Sequence, residues 1–255
     1  MDAHAPDPGL PVSDPPGPAP APAPTGAERA TALLEVVLCS GFPTQLALAQ
    51  TLATFGIRPA SPTTISMPYV AAVSLADTAL LLVLIAFFIR ARGEDPVSEL
   101  LGSRPIGAEV RYGVPLLFLA FGLAVVLMLS LQAMWPWLHN VRRNPFQDAI
   151  KTPLDVLLLV LLVVVAGGLR EEAQRAFLIG RFERWLGGAR VGLVLTSVAF
   201  GLGHYYEGRD AVLVTGALGA FWGVVYLKRR SIVAPVVSHA GFNLLQVMQF
   251  LALAR

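Results

Sequence analysis

The stretch GGLREEAQRAFLIGRFE, Gly167 to Glu183, follows directly on the apolar run LLLVLLVVVA. It places Arg170, Glu171, Glu172 and Arg175 in a chain that has just entered hydrocarbon. A charge at the centre of a bilayer costs about 3 kcal/mol on insertion scales. Either these four residues face a polar interior made by other helices, or the segment lies outside the membrane. The two readings give different folds, and the rest of the sequence decides between them.

Of the 255 residues 55% are hydrophobic and only 14% charged, with a mean hydropathy of +0.63. Soluble domains carry about 25% charge, so the composition is that of a polytopic membrane protein whose surroundings are the lipid bilayer. The net charge of +2 is small and the basic residues sit in short loops, which argues against nucleic acid as a partner. The single cysteine, Cys39, excludes an internal disulfide framework and a cysteine zinc cluster, and its apolar neighbours suggest inert packing. Oligomeric state is not legible.

Residues 1–28 form a Pro/Ala-rich tail that cannot build a core and reads as disordered or polyproline; His4 within it has no expected role. The tail lacks the basic start and apolar run of a signal peptide. Seven apolar segments follow, at about 31–56, 69–89, 113–138, 153–180, 191–206, 211–227 and 232–254, each near the roughly 20 residues that cross a bilayer as a helix. The expected fold is therefore all-α, a membrane bundle of about seven helices. Residues 29–149 supply its N-terminal helices and 150–255 a C-terminal membrane core, the part to which the resemblance given below assigns catalysis.

Local signals refine this. Glu35, Pro43 and Gln45 interrupt the first segment, which reads as broken or partly interfacial. Segment four opens TPLD, with Thr152 as cap, Pro153 at the first helical position and Asp155 in the first turn. The pair Gly167-Gly168 predicts a bend or a close helix approach. Trp135 and Trp137, with His139, read as an interfacial aromatic girdle. Asp77 is assigned a structural role.

Orientation follows from Arg and Lys in the loops. One side gathers Arg29, Arg90, Arg92, Arg104, Arg111, Arg181, Arg184, Arg190, Lys228, Arg229 and Arg230. The other holds Arg58, Arg142, Arg143, Lys151, Arg209 and Arg255. The N-terminus is expected in the cytoplasm of a multi-pass cell-membrane protein, with the C-terminus outside.

Besides the opening stretch, polar groups interrupt the apolar segments at FGLGH, ending in His204, and at HAGFN, where His239 and Asn243 are four apart and share a helix face. Segments four and five form a hairpin turning near Gly187-Gly188. Glu171 lies 16 residues before Gly187 and His204 16 residues after Gly188, which puts both about 24 Å from one turn. His239 and Asn243 fall roughly 10–17 Å into segment seven. A lone buried His or Asn often only bridges helices, for about 0.6 kcal/mol, and a Glu171–Arg175 pair could be purely structural. Scattered structural bonds have no reason to share one depth.

A buried carboxylate and a histidine can share a water and direct it at a carbonyl, and a second His with an Asn can donate to the oxyanion. No Ser or Cys stands out as a nucleophile. The zincin HExxH is absent, since Tyr205, Tyr206 and Glu207 follow His204. If a metal such as zinc were required, Glu171, His204 and His239 would be its ligands; nothing in the spacing demands one, and no cofactor is expected.

Paired Glu followed by Arg, then Phe200-x-x-x-His204, then His239-x-x-x-Asn243, on successive membrane helices, resembles the CPBP intramembrane protease family, the Abi or CAAX-protease-like group. The likeness covers about residues 150–250. It implies a helical bundle with an internal site, a Glu and a His activating water, a His/Asn pair at the oxyanion, and a membrane-associated peptide or protein as substrate. The family has been described both as metal-dependent and as metal-free. The first motif departs from Glu-Glu-x-x-x-Arg-Gly. Anchored on Arg175, the second Glu falls on Glu171 and the first on Arg170; anchored on the acidic pair, the Arg position falls on Ala176.

The expected roles are Glu171 as base, held by an ion pair to Arg175 one turn away, and Glu172 as its partner. His204, His239 and Asn243 complete the site, with Phe200 supporting. A catalytically silent membrane interaction protein, of the bacteriocin-immunity kind, and an ion or proton transporter are the alternatives.

Overall fold

The computed structural model describes residues 23–57, 66–141 and 149–253, so His4 and most of the N-terminal tail lie outside the described residues. The described chain is helical throughout. Helices α1 (Gly26–Leu38) and α2 (Phe42–Thr54) are followed by α3 (Met67–Ala91), the short α4 (Pro96–Leu101) and α5 (Ile106–Met134). The second half contains α6 (Pro153–Val164), a π-helical turn (Val165–Arg170), α7 (Glu171–Trp185), α8 (Ala189–Gly203), α9 (Arg209–Arg229) and α10 (Val233–Leu253). Among the described residues five spans are long and apolar enough to cross a membrane, or six if α1 and α2, which bend by 48°, are taken together as one broken span. The protein is a multi-pass helical membrane protein.

The predicted break in segment one is the hinge at Gly41, whose φ of +86° suits glycine. Its polar residues find partners deeper in the bundle. Glu35 pairs with Arg92 at 2.8 Å and Arg181 at 2.6 Å, and Gln45 donates to Asp77 at 3.4 Å. The TPLD signal becomes a capping box: Thr152 Oγ1 accepts the Asp155 N–H at 3.2 Å, and Asp155 Oδ2 accepts the Thr152 N–H at 2.8 Å. Cys39 packs as a free buried thiol among Leu81, Ile85, Ile89 and Phe177.

The two ends of the bundle differ. One end is laced by arginine pairs: Arg184 with Glu99 at 2.6 Å, Arg230 with Glu183 at 2.5 Å, and Arg229 with Glu109 at 2.5 Å. This is the end to which the loop count assigned most cations. At the opposite end the connector after α5 is tied to the start of α9. His139 Nδ1 lies 2.7 Å from Asp210 Oδ2, and Asn140 Oδ1 accepts the Arg209 N–H at 2.8 Å. Trp135 and Trp137 are exposed there, as a girdle requires, while His139 is a tether as well.

Helices α7 and α8 turn back on each other through Gly187 and Gly188, as the hairpin reading requires. Segment five is shorter than expected. Its helix has 15 residues and stops at Gly203, so His204 is the residue that ends it rather than one inside it.

Candidate active site

The π-helical turn decides how the opening stretch is presented. It is a wider turn inserted between α6 and α7, a feature frequent at functional sites. Both glycines of the pair lie in it and face α10. A Cβ on Gly168 would fall 2.8 Å from the Ala240 Cβ, and one on Gly167 would fall 2.7 Å from Asn243 Nδ2. The close approach expected of the pair is thus present, and the local irregularity takes the form of a π-helical turn. Asn243 Nδ2 donates to the Val163 carbonyl at 3.4 Å across this contact.

Arg170 turns away from the site and pairs with Asp77 of α3 at 2.8 Å, a partner that suits the structural role assigned to Asp77. Glu171 and Glu172 diverge, as neighbours about 100° apart on a helix must. Glu172 is 1% exposed. Its Oε1 accepts from His239 Nδ1 at 2.7 Å and from Arg175 Nη1. Glu171 keeps 22% side-chain exposure and points into the bundle interior, its Oε2 lying 3.8 Å from His239 Nε2.

The expected Glu171–Arg175 ion pair is therefore corrected: Arg175 pairs with Glu172, three residues before it. The reason is the burial of Arg175 under aromatic rings, with its guanidinium 4.5 Å from the Phe200 ring and 5.9 Å from Trp222. Only Glu172 points to that dry side. The departure from the family spacing is absorbed locally, because the Arg still meets the acidic pair.

Hydrogen bonding sets the histidine tautomers. An ionised carboxylate can only accept, so His239 Nδ1 carries a proton toward Glu172 and leaves Nε2 facing Glu171. The Phe200 carbonyl also only accepts; at 2.9 Å it takes the Nδ1–H of His204 and leaves Nε2 available as an acceptor. The His239 ring stacks on Trp222, centroids 3.7 Å apart and planes within 15°, and Trp222 Nε1 donates to Ser238 Oγ at 3.1 Å. Phe200 stands edge-on to His204 at 4.8 Å and to His239 at 5.8 Å.

Glu171, His204, His239, Asn243 and Phe200 all line one cavity of about 1060 Å³ between α3, α5, α6, α8, α9 and α10. Glu172 and Arg175 lie behind His239, outside the cavity wall. The sequence reading missed Trp222 and Glu207. Trp222 was within reach of the depth argument: it precedes Arg230 by 8 residues and His239 follows Arg230 by 9, across the α9–α10 turn. Glu207, in the turn between α8 and α9, was noted only as an obstacle to HExxH. It also lines the cavity. Burial pushes its carboxyl above the usual range, His204 opposes this and Glu171 adds to it, so the three share one electrostatic neighbourhood.

The residues named as possible metal ligands, Glu171, His204 and His239, do not converge as a ligand set. Among the described residues no group of three or more His, Cys, Asp or Glu side chains is arranged to hold a metal ion.

Residues 153–245 match the family described as Type II CAAX prenyl endopeptidase Rce1-like. The Protein NrfD homolog of Haemophilus influenzae is 30% identical over 128 residues, 48% of this chain and 39% of that protein. The match thus spans well under half the length of that relative. No solved structure matches. The matched segment contains the acidic pair, Arg175, Phe200, His204, His239 and Asn243; of these, Glu171, Phe200, His204, His239 and Asn243 line one cavity, and it is over this C-terminal segment that the chain is similar to the CAAX-protease-like family.

Proposed function

We propose that the protein is an intramembrane endopeptidase that hydrolyses a peptide bond of a membrane-associated protein or peptide. The observation that carries this reading is the convergence of Glu171, His204, His239 and Asn243 on one cavity inside the family-matched core.

A water between the Glu171 carboxylate and His204 Nε2 would donate to both acceptors, leaving its oxygen lone pair for the scissile carbonyl. As the C–O bond forms, Glu171 takes the proton and the carbonyl π pair moves onto oxygen. His239 Nε2–H, when the ring is protonated, and the Asn243 amide are the donors for that oxyanion. Collapse breaks the C–N bond, and Glu171 returns the proton to the departing amine. Glu172 acts through His239: by accepting the Nδ1–H it fixes the ring and favours its protonated form. Trp222 and Phe200 hold the imidazoles in place.

The test is cleavage of membrane peptides by the purified, reconstituted protein and its His204→Ala variant. Cleavage by the wild type and none by a folded His204→Ala protein is the expected result. Equal cleavage by both sinks the assignment; no cleavage by either points to a non-catalytic member acting by interaction.

A further inference from the structure

The cavity is not centred in the bundle. On α10 its wall runs from His239 to Leu253, and on α9 from Trp222 back to Ala211. The wall residues nearest the arginine-rich end, Trp222 and His239, lie about 10 Å from that end of their helices. Below them the bundle is closed by the Glu172–Arg175 pair and a packed layer of Ala176, Ile179, Tyr226 and Ile232. Toward the opposite end the wall continues to Met67, Ile150, Glu207 and Leu253, at the termini of their helices or in the turns beyond. Trp222 and His239, with the Glu172–Arg175 pair behind them, thus form the blind end of a cavity whose mouth faces away from the arginines, and Glu171 and His204 stand on its wall.

The occupant is argued from the wall. Most of it is apolar, yet Ser74, Thr215, Gln246 and Gln249 interrupt it between the mouth and the histidines. A hydrocarbon chain has no use for donors and acceptors there. An extended peptide carries backbone N–H and C=O groups that must be satisfied away from water. The eleven residues of helix from His239 to Gln249 span about 15 Å, room for roughly four to five extended residues.

We infer that the substrate enters from the face opposite the arginine-rich end, the extracytoplasmic face, and that it is an apolar peptide segment bound extended, with its scissile bond at the blind end beside His239. That it is cleaved there rests on the proposed function; the side of entry does not. By the same geometry a cytoplasmic chain terminus, prenylated or not, meets the closed end.

The test uses cysteine access in the full-length Cys39→Ala protein, with single cysteines placed by Ser74→Cys and Thr215→Cys in the cavity wall and by Arg190→Cys at the arginine-rich end. A membrane-impermeant maleimide should label the two wall positions in intact cells and the Arg190 position only in inverted vesicles. In reconstituted vesicles an apolar peptide should slow wall labelling several-fold, and a prenyl alcohol should not. Wall labelling only from the Arg190 side, wall positions closed to both sides, or equal protection by the prenyl alcohol would each overturn the inference. Because labelling needs no catalysis, a protein that labels as expected yet cleaves nothing sinks the hydrolase reading alone.

Discussion

Glu172 and His239, 67 residues apart, are joined by a hydrogen bond of 2.7 Å from Nδ1 to Oε1, and the same oxygen accepts from Arg175. This relationship separates two adjacent carboxylates that a family motif leaves interchangeable. Glu171 faces the cavity and Glu172 faces the dry core, so their substitutions should be distinguishable by two measurements. Glu171→Gln should lower cleavage by at least about 10²-fold, the low end for a general base, with little change in melting temperature. Glu172→Gln leaves the buried Arg175 without its carboxylate, and breaking a buried pair costs about 3–5 kcal/mol. Its melting temperature should fall clearly as well as its activity. A stable, dead Glu172→Gln beside an active Glu171→Gln would reverse the assignment.

The Arg170–Asp77 pair is another buried charge pair of the stretch and carries no proposed chemistry. Removing one partner strands the other, so Arg170→Leu and Asp77→Leu alone should each destabilise the protein by about 3 kcal/mol or more. The double variant should recover most of that loss. Thermal denaturation in detergent checks it, and single variants as stable as wild type would show that the pair is solvated.

Gly167 should matter through Asn243 rather than through helix propensity. A Cβ there would lie 2.7 Å from Asn243 Nδ2 and push the amide from its place. Gly167→Ala is expected to lower kcat by about 10-fold or more, within the range for losing an oxyanion donor, while KM changes little. A rise in KM at constant kcat would place Asn243 in substrate binding instead.

Water activation by carboxylate and imidazole has a chemical test. Activity should persist after exhaustive chelation of the purified protein. Loss on chelation, restored by zinc and not by magnesium, would require a metal ligand set that forms only in a rearranged site.

Much of this was legible in the primary structure, for identifiable reasons. Hydrocarbon length and apolar composition leave the chain little choice but transmembrane helices, since nothing else in a single apolar chain of this kind satisfies the backbone there. Rise per residue along a hairpin is nearly constant, so counting to Gly187 and Gly188 was enough to expect Glu171 and His204 near each other, and both line one cavity. Capping at Thr152 and the break before α2 are local, and were read locally. What neighbours a charge in the dry core is not local. Arg175 could reach either glutamate by spacing alone. Its choice of Glu172 came from the aromatic faces of Phe200 and Trp222 and from His239, supplied by three other helices. The early end of α8 at Gly203, the tie between His139 and Asp210, and the closure of the cavity at the arginine-rich end likewise depend on which helices become neighbours. The one-dimensional pattern determined which segments are membrane helices and where polar residues interrupt them. Only tertiary packing decided which way each one points, because in hydrocarbon a polar side chain turns to the nearest partner the assembled bundle provides.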